Sequence, residues 1–168
     1  LAALGIDYNA EAARDIARAL AAVLRGRADA ASAALAATLA TARGGTRAGA
    51  PSLPNLTLSN PAWPTPPERT ALPGLAEAAR AARLAAAEQG APRHRATTAL
   101  VAPGPVEALL GVETGGIAPA FSALNQAGAL SKATRAWLSV SGLTAEEALA
   151  MVLAGGNPLP TPQATADR

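Results

Sequence analysis

The residues whose types and spacing could bind a ligand lie between His94 and Phe121, in the stretch HRATTALVAPGPVEALLGVETGGIAPAF. It opens with residues 97–101, a short run with β-branched members that predicts a buried strand. A Pro-Gly-Pro turn at 103–105 ends this strand, and residues 106–110 predict one or two helical turns. A strand that leads through such a turn into a helix N-terminus can hold an anion, because free backbone N–H groups point outward there. The same pattern also fits an ordinary strand-to-helix turn.

Other residues that could do chemistry are scattered rather than grouped. The carboxylates show no paired spacing, and the serines and the single histidine show no nucleophile arrangement; these residues are Asp7, Glu107, Glu113, Ser122, Ser131 and His94. The sequence contains no cysteine, which excludes thiol chemistry, zinc thiolate sites and iron–sulfur clusters carried by this chain alone. We therefore predict no catalytic residue and no metal ligand in this chain.

The composition predicts a thin core. Hydrophobic residues make up 50% of the 168 residues, but much of that share is alanine and aromatic residues make up only 2%. Because an alanine buries little area, we expect the chain to need another protein segment to complete its core. The net charge of +2 and the absence of basic runs argue against nucleic-acid binding, and no apolar run is long enough for a membrane span. A cytoplasmic protein is expected.

The helical elements are clearest on either side of a Pro-rich connection at 46–73. Residues 10–43 predict a long helix with a kink or a break at Gly26, and residues 74–89 predict a second helix whose small-residue face suits packing on a sheet. Two further helices are expected, one capped by Ser131 and one opened by the capping box Thr144-x-x-Glu147. These elements predict an α/β fold that is mostly helical and Ala-rich with a few strands. We expect a single domain over 1–156 and a flexible tail over 157–168.

In order and in motifs, these elements resemble the later part of the catalytic barrel of ribonucleotide reductase, most closely the adenosylcobalamin-dependent type. The family has a Pro-Thr-Gly-Thr or Pro-Ser-Glu-Thr-Ser-Ser loop after a strand, and later a Thr/Asn-Gly-Ile-Glu-Pro segment. The counterparts here are APGPVEA at 102–108 and TGGIAP at 114–119. The opening segment, LAALGIDYNAEAARDIARALAAVLRGRADAASAALA, also looks like the helix that follows the active-site cysteine region of the family.

The resemblance implies part of a ten-stranded α/β barrel and a loop that binds the substrate phosphate. It places the candidate phosphate donors at Gly104, Val106, Glu107 and Ala108, and a second loop at Thr114, Gly115, Gly116 and Ile117. This sequence departs from the family pattern, since Gly104 and Val106 replace the loop hydroxyls and Pro105 removes a backbone donor. The Glu107 carboxylate would repel a phosphate, and Ala118 replaces the family's glutamate.

From the resemblance we expect a fragment or degenerate C-terminal domain of a ribonucleotide reductase-like protein, inactive on its own. The parent reaction would be reduction of ribonucleotides to deoxyribonucleotides by a cysteine thiyl radical. Leu1 in place of Met indicates a processed, trimmed or partial chain, and the radical cysteines of a longer parent would lie upstream. We expect no cofactor on this chain alone, with adenosylcobalamin belonging to such a parent, and a nucleoside phosphate as the candidate small ligand. The alternative is a non-catalytic helical protein-interaction or scaffold domain.

Overall fold

The computed structural model describes residues 1–42, 63, 65–89, 92–94, 96–99, 105–109, 111, 113, 120 and 122–160. A short 3-10 helix, Ala2–Leu4, precedes five α-helices in this part of the chain. They are α1 (Glu11–Ala42), α2 (Leu75–Glu88), α3 (Pro105–Leu109), α4 (Lys132–Ser141) and α5 (Ala145–Leu153). The long helix, the second helix and the two later capped helices that the sequence predicts are confirmed.

The predicted α/β fold is wrong. Among the described residues there is no strand, only one isolated antiparallel bridge between Leu124 and Leu130. In the predicted strand at 97–101, Thr98 and Ala99 are exposed coil, and Thr97 donates its hydroxyl to Asp29 of α1. A strand needs a neighbouring strand to take up its backbone groups, and this segment is attached to a helix instead. Residues 100 and 101 lie outside the described part.

The contacts within the chain divide it into two compact units, residues 15–99 and residues 1–14 with 100–168. The single domain expected over 1–156 stays a prediction. Within the predicted tail, Pro158 and Leu159 are buried, and 161–168 lie outside the described residues.

In the unit 15–99, α1 and α2 pack through alanine and glycine. Ala19, Ala22 and Ala79 form the fully buried centre of this contact, with Val23 and Leu75 half-buried beside it. The small-residue face of α2 is therefore confirmed, but it packs on a helix rather than on the predicted sheet.

Gly26 does not break α1, which runs without interruption from Glu11 to Ala42. A β-carbon at Gly26 would lie 2.6 Å from the backbone carbon and oxygen of Ala82 in α2. Because only glycine leaves room for this approach, Gly26 serves helix packing rather than a kink.

In the other unit, local capping defines the last two helices. Ser131 caps α4, accepting from the Thr134 N–H at 3.1 Å, and Gly142 ends that helix with a φ of 78°. The expected capping box at Thr144 and Glu147 is present at the start of α5. The 3-10 helix packs on α4, where Gly5 lies against Val140.

Burial in the described residues is inverted relative to an ordinary globular core. Ten of the twelve buried hydrophobic residues are alanine, and the other two are Ile16 and Leu159. Twelve larger apolar residues are exposed instead: Leu1, Leu4, Leu20, Leu24, Leu35, Leu84, Val106, Leu109, Val140, Leu149, Met151 and Leu153. A core of alanine allows helices to approach closely but removes little apolar area from water.

Candidate functional site

The predicted phosphate loop lies only partly in the described chain. Pro105 is the first residue of α3, as expected for a proline at a helix start, and Val106, Glu107 and Ala108 follow within that helix. Gly104 lies outside the described residues, as do all four residues of the second loop, Thr114–Ile117. The phosphate loop and the second loop therefore stay predictions.

A cleft of about 630 Å³ lies next to these loops in sequence. It is lined mainly by polar and small groups, from Gly111, Glu113, Ala120, Ser122, Leu124, Asn125, Gln126, Ala127, Ser131 and Lys132. The turn from 122 to 130 and the N-terminus of α4 provide most of this lining. The cleft is a candidate for a small-molecule site formed by described residues of this unit.

The Glu113 carboxylate occupies the N-terminus of α4. Its Oε2 accepts from the backbone N–H of Lys132 at 2.6 Å and of Ala133 at 3.3 Å, and the Ser131 hydroxyl takes the next N–H, that of Thr134. The first N–H groups of a helix attract anions because they are unsatisfied and carry the positive end of the helix dipole. Since the protein supplies its own carboxylate here, an added phosphate would compete with Glu113.

The remaining polar groups of the cleft hold its own backbone. Lys132 donates from Nζ to the Gly111 carbonyl at 2.9 Å. Asn125 accepts from the N–H groups of Ala127 and Ala129 through Oδ1, and Ser122 bonds both backbone groups of Leu124. These contacts form turns and caps. Among the described lining residues, these contacts form no pair of a nucleophile and a base.

A second polar cluster lies in the unit 15–99, along α1. The Arg25 Nε donates to Asp29 Oδ2 at 2.6 Å, and these side chains are only 12% and 9% exposed. Asp29 also accepts from the Thr97 hydroxyl, and the Arg25 guanidinium lies 5.3 Å from the centre of the Trp63 ring. The Arg25–Asp29 ion pair thus connects α1 to two separate segments, one at Trp63 and one at Thr97.

Among the described residues, Ser32 and His94 come nearest to the arrangement of a catalytic pair. The Ser32 hydroxyl lies 2.8 Å from His94 Nδ1, but it also accepts the His94 backbone N–H at 2.9 Å and is buried. Asp29 is bonded to Arg25 and Thr97 rather than to the imidazole. These two hydrogen bonds hold the segment that contains His94 against α1.

Sequence reasoning missed this cluster and the role of Glu113. The spacing of Arg25 and Asp29, four residues apart on a helix, is a signal that could have found the ion pair. No local pattern links Ser32 to His94, which are 62 residues apart, or Glu113 to the start of α4.

The described part of the chain was also searched for a metal site and for a membrane span. It contains no group of three or more His, Asp or Glu residues that could hold a metal ion. The adenosylcobalamin that the resemblance assigns to a longer parent stays a prediction. None of the described helices combines the length and the apolar character that a membrane span requires.

Comparison with known proteins adds no relative. No protein-family model matches this chain, and no match was found among curated proteins or among solved structures.

Proposed function

We propose that this chain is a non-catalytic helical interaction domain whose exposed apolar faces are covered by another protein segment. The proposal includes a cytoplasmic location and no reaction of its own. The observation that carries it is the inversion of burial, with alanine inside and leucine outside.

The exposed leucines are too large and too exposed to belong to the α1–α2 packing. Leu24 of α1 and Leu84 of α2 are 65% and 61% exposed, whereas Ala22 and Ala82, two positions before them, are buried. In the other unit, Leu109 and Leu153 are 86% and 81% exposed. Covering one such side chain fully contributes about 1.5–3 kcal/mol. A protein segment that covers several of them would therefore add a large fraction of the stability of an ordinary domain.

The polar chemistry of the described residues supports a binding role over a catalytic one. The two polar clusters are satisfied internally, because Glu113 caps α4 and Ser32 bonds the backbone of His94. These hydrogen bonds give both groups a structural role in the fold.

The test is binding of an apolar fluorescent dye to the whole chain under native conditions. We expect strong dye fluorescence that falls when Leu24, Leu84 and Leu153 are each replaced by Gln, with little change in melting temperature. As matched controls, the exposed alanines Ala31 and Ala81 are replaced by Gln and should leave the fluorescence unchanged. A native chain that binds no dye would contradict the proposal.

A second candidate is a ribonucleotide reductase-like parent to which this chain contributes its C-terminal part. Its specific support is the start of α3 at Pro105, since a helix begins within the segment that resembles the family's phosphate loop. If any phosphate affinity remains, nucleoside diphosphates at millimolar concentration should raise the melting temperature, since a ligand that binds the native state stabilises it. An unchanged melting temperature would remove the nucleotide site from the proposal.

A further inference from the structure

A short segment without buried residues lies against α1 in the unit 15–99. We call it the strap: residues 92–94 and 96–99, which follow α2 in the sequence. Thr97 is half-buried and the other six residues are exposed. Because the strap buries none of its residues, polar contacts rather than removal of apolar area from water attach it to the helix.

Three of these polar contacts meet at Ser32 of α1. The Ser32 hydroxyl accepts the backbone N–H of His94 at 2.9 Å and lies 2.8 Å from His94 Nδ1. The Ser32 carbonyl oxygen accepts the backbone N–H of Arg93 at 3.3 Å. Three positions earlier on α1, Asp29 accepts from the Thr97 hydroxyl. Ser32 and Asp29 are both buried, whereas the strap residues that contact them are not.

The groups of α1 that hold the strap have other partners on their own helix. Asp29 is bonded to Arg25 through Oδ2, and that ion pair lies entirely within α1. A hydroxyl inside a helix can donate to the carbonyl four positions earlier, as Thr38 does to Ala34 on the same helix. If the strap left α1, Asp29 would keep its ion pair and Ser32 would find an acceptor on its own helix. The open state therefore leaves neither helix group unsatisfied.

The contact between α1 and α2 is of a different kind. Its centre consists of Ala19, Ala22 and Ala79, which are fully buried, and neither Ser32 nor Asp29 belongs to it. Segments with few buried apolar contacts open at lower free energy than the core to which they are attached. The strap should therefore open while the two helices stay packed.

We propose that the strap is a releasable conformational element, which leaves α1 by breaking its hydrogen bonds to Ser32 and Asp29 while α1 and α2 stay packed. Its release makes the Ser32 and Asp29 side chains accessible on the surface of α1. The inference is independent of the proposed function, because it concerns polar contacts within one unit.

The test is residue-resolved amide hydrogen exchange of the full chain in its native state. The strap amides are those of Arg93 and His94, and the helix amides used for comparison are those of Ala22 and Ala79. We expect the strap amides to exchange about a hundredfold faster than the helix amides, since they need only the local opening. They should still exchange more slowly than the same amides in an unstructured peptide that contains the strap sequence.

A variant on the helix side identifies the attachment. Ser32→Ala removes both hydroxyl contacts and should speed exchange of the strap amides about tenfold, as expected for the loss of one net hydrogen bond. The helix amides and the melting temperature should stay nearly unchanged. The matched control is Thr38→Ala, which removes a hydroxyl that donates to Ala34 of the same helix and should leave the strap amides unchanged.

A variant on the strap side tests the same opening without a change in α1. Thr97→Val removes the hydroxyl that donates to Asp29 and keeps a side chain of similar shape. It should also speed exchange of the strap amides, although Thr97 bonds neither of them, because the strap opens as one segment.

The other outcomes overturn the inference. Equal exchange of strap and helix amides in the native chain would mean that the strap opens only when the helices unfold. Strap amides that exchange as fast as in the unstructured peptide would mean that the strap is not closed on α1. If Ser32→Ala speeds strap and helix amides equally, or leaves the strap amides unchanged, the Ser32 contacts do not form a separate attachment.

Discussion

The backbone of Ala82 lies where a β-carbon on Gly26 would have to fit, at 2.6 Å from that atom. Helix α1 therefore passes α2 at a distance that no residue other than glycine allows without movement. Helix propensity alone would favour alanine over glycine at position 26, but this contact leaves no room for an alanine side chain.

We predict that Gly26→Ala destabilises the protein. Propensity alone would stabilise an α-helix by about 1 kcal/mol for this change. Overpacking against a backbone that cannot rotate away costs about 1–3 kcal/mol. We expect a net loss in the free energy of unfolding, measured by urea denaturation. The control variant is Ala31→Gly, on the exposed side of the same helix, and it measures the effect of helix propensity alone. A more stable Gly26→Ala variant would show that the two helices are farther apart.

We predict that removal of Asp29 costs much more than removal of Asp15. Asp29→Ala leaves Arg25 charged and buried without its partner, for which a loss of about 3 kcal/mol is typical. Asp15→Ala removes a similar ion pair, with Arg18, but Arg18 is half exposed and such pairs contribute about 1 kcal/mol or less. Thermal and urea unfolding of the two variants give the comparison. Equal losses would contradict the structural role of the Arg25–Asp29 pair.

We predict that Glu113→Ala destabilises the start of α4. The change removes the acceptor for the N–H groups of Lys132 and Ala133, and the loss of a helix cap costs about 0.5–2 kcal/mol. Hydrogen exchange at these two amides should increase more than at the centre of α4. Glu146→Ala, at an exposed glutamate of α5, serves as the control and should leave these amides unchanged.

We predict an acid-sensitive contribution from the capping box of α5. Hydrogen bonds from the backbone N–H and the hydroxyl of Thr144 hold the pKa of the Glu147 carboxyl below its ordinary value of 4.5. Because the folded-state pKa is lowered, the stabilisation is complete above pH 4.5 and is lost as the pH falls through the lowered pKa. Glu147→Gln should flatten the acid limb of stability against pH, and Thr144→Ala should do the same. A variant with an unchanged acid limb would contradict this assignment.

Local signals in the sequence were sufficient for most helices. The bounds expected for α1 and α2, the serine cap of α4, the capping box of α5 and the proline at the start of α3 depend on residues a few positions apart. Such signals act between residues within one turn of a helix, so they can be recognised in the sequence without knowledge of the tertiary structure.

The errors came from features that depend on distant parts of the chain. Residues 97–99 have β-branched members, but Asp29 on α1 provides the partner of Thr97, and strand propensity yields to such tertiary contacts. The low helix propensity of glycine suggested a break in α1 at Gly26. The role of Gly26 in helix packing depends instead on Ala82, which lies 56 positions later in the sequence. The candidate ligand loops stay predictions, since most of their residues lie outside the described chain.

The alanine-filled interior also changes how the chain should tolerate random substitution. In an ordinary domain the large buried side chains are the least replaceable, because shortening them leaves cavities. Here the strictest sites should be the smallest residues, such as Ala19, Ala79 and Ala82, where every enlargement collides with a neighbouring helix. If the proposed function is right, exposed leucines such as Leu24 and Leu84 would accept polar replacement in the isolated chain and lose that freedom once a partner covers them. A saturation screen of the chain alone and within its assembly would therefore give two different maps of permitted residues.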